Sequence, residues 1–273
     1  MNKKEKINQI YRAIKKIKIQ GATNIAKAAL HAYSLMPTKA TKKKLINTRP
    51  TEPLLVNVLN KTDKLGYKKT LAHFENAQDK INKNVLKIIK PDARIFTHCH
   101  STSVVEALIY AKKKGKKFEV LNTETRPLYQ GRKTAEQLEK AGIKVTMFID
   151  SASALAIEKE NKKDKIYADY VFLGADAILK NGDVINKIGS GMISEIAYKN
   201  KIPVYIIADS WKFTPKNVKI EERDFHEVWK NAPKHIKIKN PAFEKVPSRY
   251  IKAIVSELGI LNPKKFVKKA RKN

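Results

Sequence analysis

One cysteine and one aspartate, each at the end of a short apolar run, are suited to acid–base chemistry. Cys99 ends the run 93–99, just before a helical segment whose dipole would favour a thiolate acting as a base or a nucleophile. Asp176 follows the run 170–175, and an aspartate whose pKa is raised by burial can donate a proton. The residues alone leave two alternatives open, because free cysteines are often small buried hydrophobes and aspartates often cap helices or turns.

The region that must position these two residues alternates apolar runs with helical stretches after residue 90. This alternation predicts βαβ units and a parallel sheet. Ligands bind such sheets outside the carboxyl ends of the strands, and an ionisable residue stands at the end of every run, so a site is predicted at that edge. The predicted strands are 93–99, 118–122, 145–150, 170–175 and 203–208, and the predicted helices between and after them are 103–114, 134–141, 153–161 and 190–200.

The region before residue 85 has helical spacing instead. Ile7 and Ile10, for example, begin a series of apolar residues three or four positions apart, as on one face of a helix. A last helical segment is predicted near 251–258. We therefore expect an α/β protein with an N-terminal all-helical domain, 1–88, and a C-terminal Rossmann-like domain with a parallel sheet, 89–273.

The composition excludes several classes of protein. The chain has 273 residues, 42% of them hydrophobic, enough to bury a core. No apolar run approaches the roughly 20 residues of a membrane span, and the charged N-terminus lacks the apolar block of a signal peptide, so a cytoplasmic protein is expected. The single cysteine cannot form an internal disulfide. Neither GxGxxG nor GxxxxGK[ST] occurs, so we expect no nucleotide cofactor. One thiol is too few ligands for a cysteine-based metal site, and no metal cluster accompanies the candidate residues, so we expect no metal.

The charge is strongly positive. Lys and Arg number 57 against 26 Asp and Glu, which gives a formal net charge of +31 and attracts polyanions. The lysines are spread over almost every helix and loop and are not grouped beside aromatic residues along the sequence. We therefore expect a solvated, lysine-rich surface that binds nucleic acid only non-specifically.

A series of short motifs in order resembles the family of the aldose 1-phosphate isomerases and the regulatory subunits of translation initiation factor 2B. The resemblance extends from about residue 7 to 262. It rests on the strings Ile19-Gln-Gly-Ala22, Arg49-Pro-Thr51, Thr97-His-Cys99, Glu124-Thr-Arg-Pro127 with Gln130-Gly131, Gly174-Ala-Asp176, Asn181-Gly182, Asn186-Lys-Ile-Gly189, Trp211-Lys-Phe213 and Asn240-Pro-Ala-Phe243.

The resemblance implies an enzyme, because the isomerase branches keep the cysteine and aspartate that stand here as Cys99 and Asp176. The string that begins at Glu124 is most similar to the archaeal ribose 1,5-bisphosphate isomerases, which implies conversion of ribose 1,5-bisphosphate to ribulose 1,5-bisphosphate in AMP and nucleoside breakdown. A methylthioribose 1-phosphate isomerase and a non-catalytic regulatory subunit that binds a nucleotide or sugar phosphate are the alternatives. Gln20 and His100 depart from the isomerase pattern, which carries arginine and commonly asparagine there.

A phosphorylated sugar as substrate requires cations and amide donors. Gly21 and Ala22 open a predicted helix whose N–H groups can bind a phosphate, and Asn186 is a partner for sugar hydroxyls. Beside the catalytic pair, Cys99 and Asp176, the predicted phosphate-binding cations at motif positions are Arg49, Arg126, Lys187 and Lys212.

The family also implies a homo-oligomer, a dimer or a hexamer.

Overall fold

The computed structural model describes residues 2–49, 52–158 and 167–272. The N-terminal section is helical as predicted, and residues such as Ile14, Ile25 and Leu55 form its own buried core. No helix in the described ranges has the length and apolar character to cross a membrane. The N-terminal helices are α1 (Lys3–Lys15), α2 (Ala22–Leu35), α3 (Lys39–Ile46), α4 (Pro53–Leu65) and α5 (Tyr67–Leu86).

The rest of the chain is α/β. Its helices are α6 (Thr102–Lys113), α7 (Gln130–Lys140), α8 (Ser190–Lys199) and α9 (Pro263–Ala270), with short 3-10 helices that include Asp150–Ala156 and Ser210–Lys212. Its strands are β1 (Ala93–Thr97), β2 (Phe118–Thr123), β3 (Lys144–Phe148), β4 (Tyr170–Leu173), β5 (Ala177–Leu179), β6 (Val184–Lys187), β7 (Val204–Ile207), β8 (Phe213–Thr214), β9 (Phe243–Val246), β10 (Ile251–Ser256) and β11 (Gly259–Leu261).

The main sheet has seven strands in the order β11-β10-β7-β4-β1-β2-β3, and only the edge strand β11 runs antiparallel to its neighbour. All five predicted strands lie in it. Its two faces are covered by separate apolar clusters, which explains why central strands such as β4 are continuously apolar. The strand order reverses between β1 and β4, and this reversal is the point where open α/β sheets bind their ligands.

Two expectations about secondary structure need correction. The segment 251–258, predicted to be helical, contains strand β10, whose Ile254 and Val255 pair with Ile206 and Ile207 of β7. Pairing with a buried neighbour overrides the local helical spacing. The predicted helix 153–161 is a 3-10 helix up to Ala156, and its last residues, 159–161, lie outside the described residues. A second sheet, β8-β5-β6-β9, was not predicted.

Candidate active site

The reversal between β1 and β4 opens into a pocket that reaches the N-terminal helices. Cys99 follows β1 and Asp176 follows β4, and both face this pocket. All the predicted site residues except Arg126 line this pocket. Their roles in binding a substrate or reacting with it stay predictions. The residues brought together are Gly21, Ala22, Arg49, Cys99, Asp176, Asn186, Lys187 and Lys212.

Arg126 is not among the residues that line the pocket. Its guanidinium donates to the hydroxyl of Tyr129 (2.9 Å) and to the carbonyl of Val228 (3.2 Å). Its backbone N–H is held by Asp150 Oδ2 at 2.6 Å, beyond the end of β3. The motif therefore places this arginine against neighbouring protein groups rather than beside Cys99 and Asp176.

The backbone of Cys99 is held in the left-handed region, with φ 67°. Its N–H donates to Thr125 Oγ1 and its carbonyl accepts from Thr134 Oγ1, both at 2.9 Å. Thr125 in turn donates its N–H to Asp150 Oδ1 at 2.8 Å. Residues beyond β1, β2 and β3 thus support a conformation that a non-glycine residue adopts only when its surroundings hold it there.

Burial raises the pKa of the Cys99 thiol to about 11, and the charge of Lys187 only partly opposes this effect. Although Cys99 is partly open to the pocket, the surrounding protein excludes enough water to disfavour a thiolate. This direction is opposite to the sequence-based expectation that the helix dipole and nearby cations favour the thiolate. The charge of Lys187 and the backbone hydrogen bond of His100 do not overcome the loss of hydration around the sulfur.

Two carboxyl groups near the pocket cations have raised pKa values. Burial raises the pKa of Asp176 despite Lys212 and Lys187, which agrees with the expected proton donor. Burial and the charge of Asp176 raise the pKa of Glu52 to about 8. Glu52 is 2% exposed, and its Oε2 atom has no hydrogen-bond partner. Sequence reasoning missed Glu52, and the only signal was its position three residues after Arg49.

The cations of the pocket are held by protein groups. Lys212 is buried and donates to the carbonyl of Ala175 at 2.6 Å. Arg49 forms ion pairs with Glu221 at 2.9 Å and with Glu52 at 3.5 Å. Two further cations, Lys133 and Arg223, also line the pocket and were not predicted, since neither belongs to a recognised motif.

Three helices direct their N-termini to this pocket. Their N-cap residues, Gly21 of α2, Ser101 of α6 and Tyr129 of α7, make no side-chain capping bond. N–H groups that are left over at a helix N-terminus bind anions. Arg49 Nε and Gln130 Oε1 are also buried without a hydrogen-bond partner. Unpaired polar atoms beside cations and helix N-termini suit a polar, anionic ligand.

A group of potential metal ligands also occurs, outside the pocket. The ligand atoms of His73, Asp209 and Glu257 lie within 4.8 Å of one another. His73 Nε2 is already 3.0 Å from Asp209 Oδ2, and Glu257 Oε2 accepts from the N–H of Ser210 at 3.1 Å. These bonds join α5 to the turn that carries Lys212.

Gly174 allows β4 to approach the start of α6 closely. A Cβ atom at this position would lie 2.6 Å from Ser101 Oγ and 2.7 Å from Ser101 Cβ. We expect Gly174→Ala to lower the free energy of unfolding by about 1–3 kcal/mol, because overpacking forces the surroundings to move. Denaturant unfolding measures the effect. The double variant Gly174→Ala/Ser101→Gly should regain most of the loss, and no recovery would contradict the proposed clash.

The fold and the site together define a Rossmann-like protein with a cation-lined pocket where its strand order reverses. The chain belongs to the Initiation factor 2 subunit family, whose family model matches residues 7–263. It is 33% identical to "Ribose 1,5-bisphosphate isomerase" of Archaeoglobus fulgidus, with 95% of this chain and 90% of the relative covered.

Solved structures share the fold over nearly the whole chain. A structure from Pyrococcus horikoshii OT3, described as translation initiation factor eIF-2B, has a TM-score of 0.84 and 27% identity and covers 96% of this chain and 99% of its own. A chain of the "tetrameric eIF2B-beta2-delta2 complex" from C. thermophilum has a TM-score of 0.77 and 16% identity, with 100% and 95% covered. The second similarity concerns the fold alone.

Proposed function

We propose that the protein isomerises ribose 1,5-bisphosphate to ribulose 1,5-bisphosphate. The observation that carries this proposal is one pocket that combines Cys99 and Asp176 with several cations and three helix N-termini. The relative from Archaeoglobus fulgidus that bears the name of this activity supports it. The resemblance to a protein described as an initiation factor makes a binding subunit without turnover the second candidate.

The reaction begins with ring opening. The anomeric oxygen of an aldose 1-phosphate is esterified, so the ring oxygen must leave carbon 1 and take up a proton. Asp176 is the donor in this proposal, because burial raises the pKa of its carboxyl group and so favours the protonated form. Removal of the proton from carbon 2 of the opened sugar gives an enol phosphate. A proton is then added to carbon 1 while the 2-hydroxyl returns its proton to the carboxylate of Asp176, which gives the ketose 1-phosphate. Cys99 is the proposed base.

Two phosphates need two sets of donors. The N-terminus of α2 and Arg49 lie on the side of the helical section, whereas Lys187 ends β6 and Lys212 lies in the 3-10 helix after β7. Charge-assisted hydrogen bonds from these groups fix the orientation of both phosphates. Because the cations neutralise its phosphates, the anionic substrate can also approach the carboxyl groups of Asp176 and Glu52.

We expect turnover to depend on pH through Cys99. Because its pKa is about 11, the thiolate fraction rises by about tenfold per pH unit below that value, and kcat should rise with pH between 6 and 8. In D2O, deuterium should appear at carbon 1 of the product. A flat pH profile with no deuterium would contradict the base role and favour a hydride shift from carbon 2 to carbon 1.

The direct test is an assay with purified protein and ribose 1,5-bisphosphate, followed by detection of ribulose 1,5-bisphosphate. Methylthioribose 1-phosphate is the competing substrate, and we expect much slower conversion. Tight binding of sugar phosphate or nucleotide without product would support the regulatory subunit. The proposed homo-oligomer, a dimer or a hexamer, is tested by light scattering of the same preparation.

A further inference from the structure

A second large groove lies at the opposite edge of the main sheet from the pocket. It has a volume of about 1120 Å³ and crosses the amino ends of the adjacent strands β4, β7 and β10, between the C-terminal ends of α5 and α8. The proposed isomerase chemistry uses none of its residues. A ligand here would occupy a site separate from Cys99 and Asp176.

Basic residues are concentrated in this groove. Six of the fifteen residues that line it are Lys or Arg, against 57 in 273 for the whole chain. Among the described residues that line it, none is Asp or Glu. The acids beside it include Asp169 and Asp92, which adjoin Lys90 and Tyr170, Asp183 near Arg249, and Glu195, which pairs with Lys199 at 2.9 Å. The basic residues are Lys87, Lys90, Lys199, Lys201, Arg249 and Lys252.

Helix dipoles account for only part of this charge. Lys87 is the C-cap of α5 and Lys199 lies in the last turn of α8, where cations commonly complement exposed carbonyl groups. Lys201, Arg249 and Lys252 lie outside those helices, at the beginnings of β7 and β10. The groove therefore has a positive charge beyond what the helix ends require.

Aromatic rings are interleaved with these cations. Four of the ten tyrosines in the chain line the groove: Tyr170, Tyr198, Tyr205 and Tyr250. The rings of Tyr198 and Tyr250 are 5.3 Å apart, and the guanidinium of Arg249 lies 4.7 Å from the centre of the Tyr250 ring. Tyr198 is 55% exposed, so one aromatic face is open to a ligand.

We propose that this groove binds single-stranded nucleic acid, with the phosphates along the cations and a base stacked on the exposed ring of Tyr198. Positive grooves with aromatic platforms bind single strands with little sequence preference, because every base has a face that can stack. A rigid duplex keeps its bases stacked on one another and cannot use the rings. The sequence did not predict this site because its tyrosines come from four separate segments.

The test is fluorescence anisotropy with a labelled single-stranded RNA of about 12 nucleotides and with the same strand in a duplex. Arg249→Ala/Lys252→Ala should weaken single-strand binding at least fivefold and reduce the slope of log Kd against log salt by about 1.4. Lys112→Ala/Lys113→Ala, the matched control, removes the same charge from the exposed end of α6 and should change Kd less than twofold.

A third variant separates stacking from charge. Tyr198→Leu keeps the apolar bulk and should weaken single-strand binding at least fivefold while duplex binding stays unchanged. Equal losses in the two double variants, or no effect of Tyr198→Leu, would overturn the proposal and leave only a general surface attraction. Turnover of ribose 1,5-bisphosphate should be the same in all three variants, so failure of the groove and failure of the proposed isomerase are distinguishable.

Discussion

Asp176→Asn is expected to lower kcat for ribose 1,5-bisphosphate by about 10³-fold, within the range that one acid–base group contributes. The amide has nearly the shape of the carboxyl group but cannot transfer a proton to the ring oxygen. Cys99→Ser should cause a loss of similar size, since a hydroxyl is a far poorer base than a thiolate. Steady-state kinetics measure both effects.

A lower kcat shows a loss of acid–base chemistry only if the two variants still bind the substrate. Calorimetric titration of each variant should give a Kd for ribose 1,5-bisphosphate within a fewfold of the unaltered protein. Asp79→Asn, which alters an exposed aspartate that pairs with Lys83 on α5, is the control and should leave kcat unchanged. Rates near the unaltered value in either site variant would show that the acid and base roles are wrongly assigned.

Lys212→Ala is expected to weaken the binding of ribose 1,5-bisphosphate by about 1.5–3 kcal/mol, the scale of a hydrogen bond to a charged group. Lys212 is buried in the pocket, so little solvent screening reduces its interaction with a phosphate. Arg126→Ala is the matched comparison, because the guanidinium contacts Tyr129 and Val228, and its Kd should change less than twofold.

The comparison has two informative outcomes. An equal loss in Arg126→Ala would restore the sequence-based assignment and require this arginine to move to the substrate. An unchanged Kd in Lys212→Ala would show that Lys212 does not bind a phosphate of the substrate. Ribose 1-phosphate should bind the unaltered protein at least tenfold more weakly than the bisphosphate, and equal affinities would contradict a site for two phosphates.

The amino-acid sequence by itself determined the helical section, five strands of the main sheet and the edge of that sheet at which the pocket lies. Few folds other than a parallel α/β sheet fit short apolar runs that alternate with segments of helical spacing, because each strand of such a sheet is covered on both faces. Cys99 and Asp176 could be singled out because Cys99 ends such a run and Asp176 directly follows one. Strand β10 was not predicted, because its apolar spacing also suits a helix and only its pairing with β7 selects the strand.

Only the tertiary structure decided the electrostatics of the site and the position of Arg126. A pKa depends on the water and charges around a group, so the raised pKa values of Cys99 and of Glu52 beside Asp176 follow from burial by distant segments. The tyrosine-lined groove is likewise built from four separate segments. Spacing along a chain determines which face of a helix or strand a residue occupies, whereas contacts between segments determine its hydration and its neighbours.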